Sequence, residues 1–216
     1  VSHYVKPDSA LDKEAMERGT SIYLVDRTIP MLPERISNEL CSLRPNEEKL
    51  TFSAVFQMNT EAQVLNFWFG KGIIYSQKRY TYEEAQDCIE NQSGFHSEEL
   101  TVLNNLAKIL KDKRLKNGAI SFETEEVRFS LDPRGKPISV YTKVRKDAHK
   151  LIEEFMLLAN KNIAKHVKTR LKEEQAIAFR VHEPPIYEKL QPFAQMAKKF
   201  GYNLNLDDPK GLAHWL

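Results

Sequence analysis

Apolar and polar residues alternate in the first extended part of the chain. From Leu50 to Met58 every second side chain is apolar, which is the period of a β-strand. After the stretch NTEAQ, a second segment of this kind places Leu65, Phe67 and Phe69 on one face. The two segments predict an antiparallel hairpin with at least one buried face, and we expect this hairpin to belong to the core.

A second hairpin is predicted in the stretch EEVRFSLDPRGKPISVYTKV, whose middle contains the Pro and Gly of a turn. The apolar residues expected to face each other across that turn are Val127, Phe129 and Leu131 on one strand and Ile138, Val140 and Thr142 on the other. The stretch AIAFRV, residues 176–181, is apolar throughout most of its length and predicts a buried strand.

Capping residues predict where two short helices begin. Ser9 and Gly19 are placed to start and to end a first helix near the amino end of the chain. Thr81 and Glu84 have the spacing of a capping box, in which each residue's side chain accepts a hydrogen bond from the other's backbone N–H. A second helix is therefore expected from this point onward.

Longer amphipathic helices follow. Apolar residues between Leu100 and Leu110 repeat at helical spacing, and a broad apolar stripe predicts a long helix from about Asp147 to Lys172. The stretch IYEKLQPFAQMAKKFG predicts a last helix, closed by Gly201. The predicted class is therefore α+β, with antiparallel hairpins packed against helices that include one long central helix. With no internal repeat and no linker, residues 1–216 are expected to form a single domain.

Composition changes the picture only slightly. Hydrophobic residues make up 41% of the chain and charged residues 29%, and no apolar run reaches the roughly 18 residues of a membrane span. The net charge of +2 does not identify a polyanionic partner by itself. Cys41 and Cys88 have no metal-binding spacing, so two reduced thiols and a cytoplasmic location are expected. Phosphate-loop, dinucleotide, zinc-protease and serine-hydrolase motifs are absent.

Four stretches of the sequence resemble one enzyme family. They are GTSIYLVDRTIPMLPERISNELCSLRPNEEKLTFS, RYTYEEAQ, DAHKLIEEFMLLAN and FRVHEPP, and they occur in the family's order. All four are similar to the RNB catalytic domain of the ribonuclease R and ribonuclease II family. Their residues resemble bacterial ribonuclease R most. The resemblance covers nearly the whole chain. It implies part of an RNB-type catalytic domain.

The resemblance also implies an activity. Members of this family are processive 3′-to-5′ exoribonucleases that hydrolyse single-stranded RNA to nucleoside 5′-monophosphates with Mg²⁺. The aspartate cluster that holds the metal in the family lies upstream of the segment that matches VSHYV, so no metal ligand is assigned within this chain. We expect the chain to be a piece of a longer protein, truncated at both ends, inactive alone and monomeric.

Aromatic side chains are the first residues to which the resemblance assigns roles. Tyr23, in SIYLV, matches a catalytic-site tyrosine beside the scissile end of the RNA. Tyr82, in RYTYEEA, matches one that holds the RNA 3′ end, and Phe122, in NGAISFE, matches one that stacks on terminal bases. Stacking on aromatic rings suits a ligand of any sequence. Judged from the residues alone, ordinary packing in the core explains the same side chains.

Charged residues complete the expected RNA-binding set. By the resemblance, Glu153 lies near the RNA sugars, where its carboxylate would accept a hydrogen bond from a 2′-hydroxyl. Arg145 and Lys150, with Lys143 and Lys146 beside them, could line a channel for phosphates, although runs of charge are usually only solvated surfaces. Asp207 and Asp208 read as a turn or helix cap.

Two further interpretations stay open at this point. The chain could be a non-catalytic RNA-binding module derived from the same family, which keeps the stacking rings without a metal site. Alternatively, it could be a purely structural or interaction domain. Single-stranded RNA is the expected partner of the exoribonuclease and of the RNA-binding module. No membrane is expected in any of the three interpretations.

Overall fold

The computed structural model describes residues 1–119, 126–170, 186–204 and 206. The predicted strand at residues 176–181, Phe122, and the pair Asp207 and Asp208 lie outside the described residues. In chain order the described elements are α1 (Ala10–Arg18), β1 (Ile22–Tyr23), β2 (Thr28–Ile29), a π-helical segment (Arg35–Leu40), β3 (Glu48–Met58), β4 (Val64–Tyr75), α2 (Tyr82–Asn91), α3 (Ser97–Lys116), β5 (Glu126–Leu131), β6 (Pro137–Lys143), α4 (Asp147–Arg170) and α5 (Tyr187–Lys199).

Local capping signals place the first helices as predicted. The Oγ of Ser9 accepts a hydrogen bond from the backbone N–H of Asp12 at 3.2 Å, which satisfies a donor at the start of α1. At its other end Gly19 adopts the left-handed conformation, with φ of 66°. For α2, the N–H of Glu84 donates to Thr81 Oγ1 at 3.1 Å, and the N–H of Thr81 donates to Glu84 Oε2 at 2.8 Å. The capping box is confirmed.

Each pair of strands forms its own antiparallel hairpin: β1 with β2, β3 with β4, and β5 with β6. In the long hairpin Phe56 pairs with Phe67, so the predicted apolar faces of the two strands lie on the same side of the hairpin. In the last hairpin Phe129 pairs with Val140, but a bulge after Ser130 shifts the register, so that Leu131 faces Pro137. The α+β class is confirmed.

The expectation that the β3–β4 hairpin belongs to the core is wrong. Phe52 is 70% exposed and Leu65 is 61% exposed, and neither strand contains a buried residue. The hairpin touches the long helix through Phe67 and Phe69, whose rings lie edge-on to the ring of His166. A two-stranded hairpin presents two faces to its surroundings, and the described helices cover only part of one face.

The buried centre of the structure lies among α2, α3 and α4, so the prediction of a central long helix is confirmed. Ala107, Ala148 and Leu151 are buried there. Three polar residues are buried in the same place: Gln86, Asn104 and Glu154. None of the described helices is both long enough and apolar enough to cross a membrane. The prediction that residues 1–216 form a single domain remains a prediction.

Candidate functional site

An open cleft of about 590 Å³ runs between the β5–β6 hairpin and α4, and the first residue of α2 closes one side. Two rings and four charged side chains line it: Tyr82, His149, Glu126, Lys143, Arg145 and Glu153. Three of the six predicted site residues are therefore brought together, although Tyr82 lies far along the chain from Arg145 and Glu153. The cleft combines flat rings with cations and carboxylates.

Local structure explains why these side chains converge. The capping box fixes the start of α2 and thereby the position of Tyr82, the first residue of that helix. On α4, His149, Ile152, Glu153 and Met156 follow the spacing of one helix face, so they line the cleft together. Lys143 ends β6, directly before the short connection to α4. The α4 side of the cleft is thus one continuous helix face.

The rings of Tyr82 and His149 are stacked. Their centroids are 4.0 Å apart and their planes differ by 9°. The backbone N–H of Lys146 donates to Nδ1 of His149 at 3.3 Å, which puts the proton of the neutral imidazole on Nε2. The ammonium of Lys143 is 5.8 Å from the centre of the Tyr82 ring, within range of a cation–π attraction.

Burial lowers the pKa of His149 below its ordinary value because it disfavours the charged imidazolium. The positive charges of Lys143 and Arg145 lower this pKa further, while the carboxylates of Glu83 and Glu126 act in the opposite direction. Nδ1 fits the neutral state, since it accepts a hydrogen bond that an imidazolium could not accept, whereas Nε2 is buried without a partner among the described residues. His149 is therefore neutral at pH 7.

A chain of ion pairs connects the cleft to α3. Nη2 of Arg145 lies 2.7 Å from Oε2 of Glu153, and Nη2 of Arg114 lies 4.0 Å from the other oxygen of the same carboxylate. Arg114 also contacts both carboxylate oxygens of Glu154, each 3.2 Å from its Nε. The hydrogen bond to Glu154 raises the pKa of the Arg114 guanidinium. Glu153 is therefore held in place by two arginines.

Two of the remaining predicted residues lie elsewhere. Lys150 lines a separate cavity of about 250 Å³ between α3 and α4, together with Lys108 and Lys111. Tyr23 is 79% exposed on β1 and is not part of the cleft lining. The turn after β1 does approach the β5–β6 hairpin, because a Cβ built on Gly135 would lie 3.4 Å from the Cβ of Asp26. Phe122 lies outside the described residues.

The described residues do not fit a magnesium ion. Across residues 1–119, 126–170, 186–204 and 206, no group of three or more His, Cys, Asp or Glu side chains converges on one point. The carboxylates of the cleft are already paired, Glu153 with Arg145 and Glu126 with Arg128 and Lys143. Mg²⁺ needs several oxygen ligands in octahedral geometry, so no reaction step is assigned to a metal held by these residues.

Sequence reasoning missed His149. Its signal was present, since His149 precedes Glu153 by one helical turn and therefore shares a face with it. The stack on Tyr82 was invisible, because it joins the beginnings of two helices that are distant in the chain.

The chain matches one family model, described as RNB domain, over residues 1–216. It is 38% identical over 211 residues to Ribonuclease R 1 of Lactococcus lactis, an alignment that covers 94% of this chain and 25% of the relative. It is also 38% identical over 218 residues to the exosome complex exonuclease RRP44 of Mus musculus, which covers 99% of this chain and 22% of that protein. The chain therefore spans about a quarter of the length of these relatives.

Among solved structures, the fold is similar to that of Mycoplasma genitalium RNase R in complex with ribose methylated single-stranded RNA. The TM-score is 0.85 and the sequence identity 27%, over 99% of this chain and 34% of that one. The likeness thus extends over almost the whole length of the present chain.

Proposed function

The chain belongs to the RNB domain family of the ribonuclease R and RRP44 exonucleases, and from this membership we propose that it is part of a 3′-to-5′ exoribonuclease. The proposed reaction is hydrolysis of single-stranded RNA to nucleoside 5′-monophosphates. Relatives named as a ribonuclease and an exonuclease support the reaction class, and a similar structure that holds single-stranded RNA supports the substrate class.

The observation that carries the proposal is the mixture of groups in the cleft. The Tyr82 and His149 rings are stacked within a wall that also contains Lys143, Arg145 and Glu153. A binding site for single-stranded nucleic acid needs both kinds of group, because bases stack on aromatic rings and phosphates are bound by cations. An apolar metabolite pocket would not need so many charges.

Each group in the cleft has a proposed task. Tyr82 stacks on a base, and Lys143 and Arg145 contact phosphates. Glu153 accepts a hydrogen bond from a 2′-hydroxyl, which distinguishes RNA from DNA. Its carboxylate has oxygens with further acceptor capacity beyond the contact with Arg145.

Three more residues complete the proposal. Tyr23 lies beside the scissile end, Phe122 stacks on terminal bases, and Lys150 adds a phosphate contact. Magnesium is proposed as the cofactor of the whole protein, where it would activate water and stabilise the leaving oxygen. The family resemblance implies that the metal ligands lie outside this chain, so we propose that this chain alone does not cleave RNA. The monomeric state and the cytoplasmic location are proposed with it.

The test is RNA binding by the full-length protein with EDTA present, so that binding is measured without turnover. We expect Tyr82→Ala to weaken the affinity for a single-stranded oligoribonucleotide about 10-fold, within the roughly 1 to 3 kcal/mol of one base stack. Tyr75→Ala is the matched control, because Tyr75 is an exposed tyrosine on β4 outside the cleft. Equal affinities of the wild type and Tyr82→Ala would contradict the proposed site.

A second assay separates the enzyme from a non-catalytic RNA-binding module. The full-length protein is incubated with RNA labelled at its 5′ end and with Mg²⁺, and the products are identified. Stepwise shortening of the RNA with release of nucleoside 5′-monophosphates is the expected result. Tight binding without any shortening would identify a non-catalytic RNA-binding module. If the protein does not bind RNA, the interpretation as a structural domain is favoured.

A further inference from the structure

The structure contains an aromatic partner for Tyr82 to which neither sequence nor family resemblance gives a role. We propose that His149 is a positioning residue, which holds the Tyr82 ring at the cleft so that the ring can stack on a base of single-stranded RNA. This inference rests on the proposed function. It adds a residue that acts through Tyr82 rather than by touching the reacting atoms.

The geometry supports a holding role. The two rings lie nearly parallel at 4.0 Å, so His149 covers one face of Tyr82. The imidazole is itself anchored, since its Nδ1 accepts the hydrogen bond from the Lys146 backbone at the beginning of α4. Tyr82 is 42% exposed, and its ring orientation is therefore not fixed by burial alone. A rigid plane on one side restricts the rotation of the tyrosine ring.

A neighbouring cavity explains why the ring needs such a partner. Tyr82 and Ile152 line both the charged cleft and an apolar cavity of about 410 Å³, whose other walls include Tyr80, Ile89 and Leu151. The cavity is large enough for an aromatic ring and apolar enough to accept one. Without the imidazole plane, rotation of Tyr82 into this cavity would remove the stacking surface from the cleft.

The surroundings of His149 keep its imidazole neutral. Lys143 and Arg145 face His149 from β6 and from the connection to α4, while Glu83 of α2 and Glu126 of β5 face it with negative charge. Nε2 is buried with no hydrogen-bond partner among the described residues, so a charged imidazolium would be poorly solvated. His149 is thus suited to act as a neutral ring. We therefore expect an uncharged aromatic residue at position 149 to perform the same role.

The test is a set of variants of the full-length protein, with affinity for a single-stranded oligoribonucleotide measured in EDTA. His149→Leu retains a bulky apolar side chain but has no ring, and we expect it to lose about as much affinity as Tyr82→Ala, roughly 10-fold. His149→Phe restores a plane and is expected to bind within about twofold of the wild type. In the double variant Tyr82→Ala with His149→Leu, the losses should not add, because both changes remove one stack.

Thermal unfolding identifies variants that fail to fold, and His149→Phe then provides the deciding comparison with the wild type. Wild-type affinity in His149→Leu, a 10-fold loss in folded His149→Phe, or additive losses in the double variant would each overturn the inference. The proposed function fails by a different result, namely no RNA binding by the wild type or no effect of Tyr82→Ala. The two failures are therefore distinguishable.

Discussion

Glu154 and Arg114 form an ion pair that fastens α4 to α3. The carboxylate of Glu154 is only 4% exposed, whereas the side chain of Arg114 is 31% exposed and also approaches Glu153. The pair lies behind the α4 face that lines the cleft, since Glu154 directly follows Glu153. The same helix therefore presents one carboxylate to the cleft and anchors the next in the interior.

Removing the buried carboxylate should destabilise the fold. We expect Glu154→Ala to lower the free energy of unfolding by about 2 to 3 kcal/mol, somewhat less than the loss of a partner in a fully buried pair, because Arg114 retains contact with water. Glu153→Ala is the matched control and should cost less than about 1 kcal/mol, as for an exposed ion pair. Chemical denaturation measures both values. Equal losses for the two variants would show that burial does not set the strength of the pair.

Gln86 is predicted to stabilise the start of α4. Its Oε1 accepts the backbone N–H of Ala148 at 2.9 Å, and its Nε2 donates to Glu90 at 2.8 Å. Gln86→Leu leaves the buried N–H of Ala148 without an acceptor, so we expect a loss of about 1 to 3 kcal/mol in the free energy of unfolding.

A swap of side chains tests this assignment. Gln86→Glu alone keeps an acceptor for Ala148 but places a second carboxylate against Glu90, and it should be less stable than the wild type. Adding Glu90→Gln restores a donor between the two side chains and should recover most of the stability. If the double variant is no more stable than Gln86→Glu, the hydrogen bond between these side chains contributes nothing measurable.

The stability of the protein should depend on pH through His149. Since burial lowers the folded-state pKa below the ordinary value of 6.5, the unfolded chain binds more protons than the folded one below that pH. The contribution of His149 is therefore complete above about pH 6.5 and is lost as the pH falls toward the lower folded-state value. Melting temperatures between pH 7.5 and 5.5 should fall less steeply in His149→Phe. Parallel curves for the two proteins would argue against a depressed pKa.

Salt dependence should separate the two predicted phosphate contacts. Each phosphate contact to a single strand contributes about 0.7 to the slope of log affinity against log salt, so Arg145→Ala should reduce that slope by about this amount. Lys150 lines the α3–α4 cavity instead of the cleft, so Lys150→Ala is expected to have the smaller effect. Binding of an oligoribonucleotide in EDTA at several salt concentrations gives both slopes. A larger change in slope for Lys150→Ala than for Arg145→Ala would indicate that the RNA runs along the α3–α4 cavity instead of the cleft.

Part of the fold and of the site could be predicted from sequence. The capping box at Thr81 and Glu84 was predictable because both partners lie within one helical turn. The pairing of Phe129 with Val140 followed from alternation on two strands joined by a Pro and Gly turn. Tyr82 and Glu153 were identified through resemblance to a family and Arg145 from a run of basic residues, and the structure places all three in one cleft.

Sequence by itself thus determined the elements whose causes are local: where helices begin, how strands alternate and how a hairpin pairs. Only the tertiary structure decided which faces are covered, and it left Phe52, Phe67 and Trp68 of the β3–β4 hairpin exposed. It also decided that polar Gln86 is buried, because the backbone group it satisfies, Ala148 N–H, lies 62 positions away. The stack of His149 on Tyr82 has the same origin. Contacts between distant segments depend on how whole helices pack, and no local pattern in the chain encodes that packing.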